Sequence, residues 1–77
     1  MSPTLLKKEG FNFFFYANEH EPRHVHVKKG EDYAKVNLEN LEVKKNFFKP
    51  NELKKALSII GENQLYFIRR WDEYFKR

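Results

Sequence analysis

No cysteine occurs in the chain, which excludes disulfides as a source of stability and fits a reducing compartment, with the cytoplasm as the expectation. Glycine and proline number only three each and stand singly, as punctuation rather than as linkers or low-complexity tracts. No apolar run approaches the roughly 18 residues of a membrane-spanning helix, so no membrane partner is expected. Met1 to Gly10 lacks the apolar stretch and small-residue cleavage site of a signal peptide. There is no phosphate-cradling glycine loop, nucleophile elbow, HExxH or CxxC, so no motif marks a cofactor or a resident metal. Length excludes a second domain: 77 residues build one core, expected to span residues 1–77.

So small a chain buries only roughly 60 to 65% of the surface its unfolded form exposes, and such domains recruit a supplement to a marginal core. Without disulfides the supplement is oligomerisation, a bound metal or dense aromatic packing. Eight Phe, four Tyr and one Trp favour packing and pairing, which makes a homodimer an expectation to test. Fifteen Lys and Arg against eleven Asp and Glu give a net charge of +4. Twelve of the fifteen cations fall in adjacent pairs, from Lys7/Lys8 to Lys76/Arg77, spread along the whole chain. That distribution suits an ordinary solvated surface, and equally RNA or another acidic partner.

The pattern predicts an α+β fold: a small antiparallel β-meander of three to four strands packed on one long C-terminal helix. Phe11 to Ala17 reads as a first strand, with a short edge strand before it at Thr4 to Lys7. Asn18 to Arg23 is a polar loop. His24 to Lys28 and Ala34 to Leu38 alternate around a turn at Lys29-Gly30-Glu31-Asp32, which is a hairpin. From Asn51 onward, Leu53, Leu57, Ile60, Phe67, Trp71 and Phe75 recur at spacings of three, four or seven and form one helical stripe. Pro50 is placed just outside this helix, Asn51 at its N-cap and Lys76/Arg77 in its last turn. Gly61 is its weak point, costing about 1 kcal/mol relative to Ala.

Alternation along the strands puts Val25, Val27, Ala34, Val36 and Leu38 on the face that meets the helix. Phe14, Tyr16, His24, His26, Lys35 and Asn37 fall on the other face, for which no covering element remains. Such a surface can stack bases and neutralise phosphates, or pair with another protein.

All three histidines, His20, His24 and His26, lie within seven residues. Three readings stay open. His24 and His26 at i and i+2 can reach one metal ion, with His20 folding in and Glu19 or Asp32 supplying a carboxylate. The same imidazoles can act as general acid and base on RNA, using the ribose 2′-hydroxyl as nucleophile. Or they are polar residues of a hairpin and its loop.

Gly10 followed by F-N-F-F-F-Y-A-N-E-H, then H-E-P-R-H-V-H-V, A-K-V-N-L and a helix ending W-D-E-Y-F, resembles the bacterial family catalogued as domain of unknown function 4160. The likeness runs over nearly the whole chain. Members' genes often lie beside a small gene of the domain of unknown function 2442 family, so the resemblance implies a component of a toxin-antitoxin-like two-gene module. Its cognate partner is then the small protein encoded nearby, and it acts by binding that protein or RNA. A histidine-dependent ribonuclease toxin and a metal-binding domain are the alternatives, so whether the chain is an enzyme stays open. Many relatives carry a second proline where this chain has Arg23, which adds a cation near the histidines, and Gly61 interrupts a helix that usually lacks glycine. No catalytic residue carries over. The candidate residues are therefore His20, His24 and His26 for chemistry, and Phe14, Tyr16, Arg23, Lys35 and Asn37 for RNA or partner binding.

Overall fold

The computed structural model describes residues 4–75. Five strands form one antiparallel sheet in chain order: β1 (Thr4–Lys8), β2 (Phe11–Phe14), β3 (His24–Lys29), β4 (Asp32–Asn37) and β5 (Val43–Asn46). Two helices follow, α1 (Pro50–Glu62) and α2 (Gln64–Tyr74). The class is α+β as expected.

Several details differ from the sequence-based expectation. A fifth strand exists because β5 is a short edge strand of sequence V-K-K-N, whose single apolar residue gives no alternation to read. The first aromatic strand stops at Phe14 rather than Ala17, because the Tyr16 amide donates to Glu19 Oε2 instead of to a ladder. Pro50 lies inside the helix and Lys49 occupies the N-cap, since the first turn needs no proline N–H and favours the φ that proline fixes. Asn51 is therefore not the cap. The single long helix is two, and the break falls at Asn63, not Gly61. There the Asn63 side-chain amide donates to Ile59 O at 2.8 Å, competing locally with the helical pattern. Lys76 and Arg77 lie outside the described residues.

Turn chemistry sets the register. Glu9 and Gly10 both sit at positive φ, 53° and 85°, the geometry of a two-residue turn that matches strand twist. Gly30 at φ 62° starts the second tight turn, opposite the Lys29–Asp32 pair.

One face of the sheet packs on the helices. Phe11, Phe13, Phe15, Val25, Val27, Ala34, Val36 and Leu38 are buried there with Ala56, Ile59, Ile60, Phe67 and Trp71. The expected stripe holds, with Leu53, Leu57 and Phe75 packed at its margin. Phe15 meets Trp71 edge-on at 5.2 Å between centroids, and Trp71 and Phe75 lie 4.4 Å apart. Among the described residues no helix is long and apolar enough to cross a membrane.

Candidate functional site

Segment 15–23 leaves β2, folds back and brings Glu19 against β3. Glu19 Oε1 accepts from His24 Nε2 at 2.8 Å and Oε2 accepts from His26 Nε2 at 2.5 Å, while the Tyr16 amide also donates to Oε2 at 2.9 Å. The outer ring nitrogens are engaged as well. His24 Nδ1 donates to the Pro22 carbonyl at 2.8 Å, and His26 Nδ1 lies 2.7 Å from the Tyr33 hydroxyl. All four imidazole nitrogens thus have protein partners. His26 is further enclosed by Phe14, stacked at 5.5 Å, and by Tyr16 at 4.4 Å. His24 leans on Trp71 at 5.0 Å, which ties the network to the core.

The sequence placed His24, His26, Phe14 and Asn37 on an uncovered face, and burial corrects this. His24 is 5% exposed, His26 3%, Phe14 8% and Asn37 7%. The covering element is segment 15–23 itself, whose polar composition concealed that role. Asn37 Oδ1 accepts from the amides of Glu39 and Asn40, so it shapes the turn after β4. Arg23 is not a free cation beside the histidines: it holds Asp72 through two nitrogens, at 2.9 and 3.2 Å, and Glu39 at 3.1 Å. His20 is exposed, and the Glu19 network does not include it. Asp32, the other carboxylate candidate, is paired in the β3–β4 turn instead.

Electrostatics inside the network follow from burial. Burial pushes the His26 ring below its ordinary value, with the Glu19 carboxylate opposing. Burial acts to raise Glu19, yet the Tyr16 amide and the two imidazoles outweigh it and hold the carboxyl below its ordinary value. Burial, helped by Tyr16 and Glu19, pushes the Tyr33 hydroxyl up to about 12. Tyr33 therefore stays protonated and can donate to His26 Nδ1, leaving the Nε2 hydrogen for Glu19.

The rest of the helix-free sheet face is open. Directly paired residues share a face, so the register sets two cross-strand rows on this side, Lys7–Asn12–Lys28–Tyr33 and Phe14–His26–Lys35–Lys45, of which Phe14 and His26 lie covered. Lys7, Lys28, Lys35 and Lys45 make no ion pair among the described residues. Lys35 and Lys45 stand opposite each other, a like-charge pairing that costs stability on its own. Phe14, Tyr16, Lys28, Glu31 and Tyr33 line a shallow depression of about 450 Å³. Tyr16 is 46% exposed, and Phe47, 6.5 Å from the Tyr33 ring, is 65% exposed.

Sequence reasoning found Tyr16 and Lys35 on this face and missed Tyr33, Lys28, Lys45 and Phe47. Lys28 shares the parity of His24 and His26 and was readable within the expected strand, whereas Tyr33, which shares that of Lys35, needed β4 to start before Ala34. Lys45 and Phe47 depend on β5, for which no pattern existed.

A family model described as domain of unknown function (DUF4160) matches residues 10–72. No curated protein and no solved structure matches the chain.

Proposed function

This chain belongs to the family described as domain of unknown function (DUF4160), and from that premise we propose that it is a binding module for single-stranded RNA, using the helix-free face of its sheet. The observation that carries the reading is the pair of cross-strand rows, in which four lysines that make no ion pair among the described residues flank the half-buried Tyr33 and the exposed Tyr16 and Phe47 rings. Phosphates supply the counter-charge that the Lys35–Lys45 opposition lacks, and a base can stack in the depression between Tyr16 and Tyr33. Glu31 at the rim of that depression faces no phosphate in this arrangement and can accept from a base amino group.

In the two-gene module that the resemblance implies, RNA binding is this chain's contribution and the small protein encoded nearby its partner. A ribonuclease that uses a pair of imidazoles as acid and base needs both within reach of the substrate; the Glu19 network engages all four nitrogens of His24 and His26 and leaves only the exposed His20 outside it, so the geometry favours binding over cleavage. Of Phe14 and Tyr16, expected to face a protein partner or RNA, Phe14 is covered by its own chain and Tyr16 stays exposed.

Fluorescence anisotropy of a labelled single-stranded RNA tests the proposal. Each stacked base is worth roughly 1–3 kcal/mol, so Tyr16→Ala and Tyr33→Ala are each expected to weaken binding about tenfold or more. Lys54→Ala and Lys55→Ala on α1 are expected to change it little. Absence of RNA binding at low salt, or tighter binding to the co-purified neighbouring protein through this same face, rejects it.

A further inference from the structure

We propose that Glu19, His24 and His26 form a binding site for one transition-metal ion of the zinc class, held by the two Nε2 atoms and the Glu19 carboxylate. The ligating atoms of the three residues all lie within 4.8 Å of one another, and both histidines are buried. Ring orientation supports the assignment more strongly than proximity does. Each Nδ1 points outward to a fixed partner, the Pro22 carbonyl or the Tyr33 hydroxyl, so that both Nε2 atoms are turned inward on the same carboxylate. Metal-ligating histidines are held in this way, by an outer partner that sets tautomer and ring angle.

Counting hydrogens leads to the same place. A carbonyl only accepts, so His24 Nδ1 carries a proton for Pro22. A neutral ring then presents its Nε2 lone pair to Glu19 Oε1 at 2.8 Å, which sets two acceptors against each other. A cation must stand between them, either a second ring proton or a metal ion. Binding the ion displaces that proton, and at His26 the ring hydrogen moves to Nδ1, where the Tyr33 oxygen accepts it. The site then holds the ion with two neutral imidazoles and one carboxylate.

Two imidazole nitrogens and a carboxylate suit zinc and its neighbours rather than magnesium or calcium, which take oxygen ligands. Bonds of about 2.0–2.1 Å put tetrahedral ligand atoms about 3.3 Å apart, so the ligand atoms that stand as much as 4.8 Å apart have to close on the ion, while Glu19, at 2.8 and 2.5 Å from the two rings, has to draw back by roughly half an ångström. It sits on a connecting segment rather than a strand, which makes that adjustment local. A cleft of about 370 Å³ opens beside Glu19 and His24 and can supply a water as fourth ligand. Lys35 and Lys44 also line this cleft, which lowers affinity for a cation and favours an anionic oxygen at the fourth position. In a domain without disulfides, the ion pins segment 15–23 to β3.

The test uses the full chain without a histidine tag, stripped with chelator and titrated with Co²⁺ and then Zn²⁺. One equivalent of cobalt with the visible absorption of a four-coordinate ion, displacement by zinc, proton release and a raised melting temperature are expected. Tyr33→Phe, which removes only an outer partner, should weaken affinity about tenfold or more, and His20→Asn should leave it unchanged. Glu19→Gln and His24→Asn should abolish binding; if either fails to fold, the wild-type spectrum and Tyr33→Phe decide. No cobalt band and no thermal shift in the wild type overturn the proposal. So does binding that survives Glu19→Gln or is lost in His20→Asn.

Discussion

His26 and Glu19 make the folded state sensitive to acid, and the direction follows from how each is held. Burial keeps His26 below its ordinary 6.5, so the unfolded chain takes up a proton near that pH while the folded chain resists it. The His26 contribution to stability is therefore full above 6.5 and falls as the pH drops through that value toward the lower folded one. Glu19 adds a second limb. Its net lowering means a contribution present above the ordinary 4.5 and lost as the pH falls through the folded value. Melting temperatures of the chelator-treated protein between about pH 8 and pH 3 should decline in both windows, and His26→Asn should remove the upper one. A profile flat from about pH 7 to pH 5 contradicts this account of the network. Trp71 is the other residue on which the fold turns. Its ring is 1% exposed, yet its Nε1 has no hydrogen-bond partner among the described residues. Trp71→Ala should cost roughly 3–5 kcal/mol by chemical denaturation. Trp71→Phe should cost much less, because it keeps an aromatic ring and removes an unpaired donor.

The helices show how an element can be legible while its boundary is not. The stripe from Leu53 to Phe75 was readable because an apolar spacing of three, four or seven survives a one-residue break. The break was not, since glycine is the expected weak point and the actual one depends on the Asn63 side chain finding Ile59 O. Gly61 remains ordinary α1, exposed, with space for a methyl group whose nearest neighbour is Leu41 Cδ1 at 3.7 Å. Gly61→Ala is therefore expected to stabilise the domain by about 0.5–1 kcal/mol, a rise readable by denaturant titration. A loss of stability would mean that α1 needs a flexible point there. Segment 15–23 teaches a related lesson. Its composition reads as a solvated loop, and although Glu19 was a carboxylate candidate beside the histidines, nothing local reveals that the segment will bury them. The histidine cluster was legible as a concentration of one residue type with Glu19 or Asp32 as its carboxylate; tertiary contact decides for Glu19.

Taken as a whole, the molecule divides into a packed side and an open side. Helices cover one face of the sheet, where the alternation of Val25, Val27, Ala34, Val36 and Leu38 was readable and holds. Across the other face, lysines outnumber carboxylates and Tyr16 stays exposed beside the half-buried Tyr33, and the opposition of Lys35 and Lys45 is without benefit to folding, since like charges opposite one another destabilise a sheet. The RNA binding proposed above would account for it. Neutralising three to four phosphates should make the logarithm of affinity fall with the logarithm of salt with a slope of about −2 to −3. Lys28→Ala and Lys35→Ala should each reduce that slope by about 0.7, and a slope near zero would remove the electrostatic half of the argument. The most direct measurement is where the RNA sits. Backbone amide NMR shifts recorded while a short single-stranded RNA is added should move at Lys7, Asn12, Tyr16, Lys28, Tyr33, Lys35 and Lys45 and stay still along α1 and α2. Shifts concentrated instead around Lys54, Lys55, Arg69 and Arg70, or absent throughout, would contradict the account.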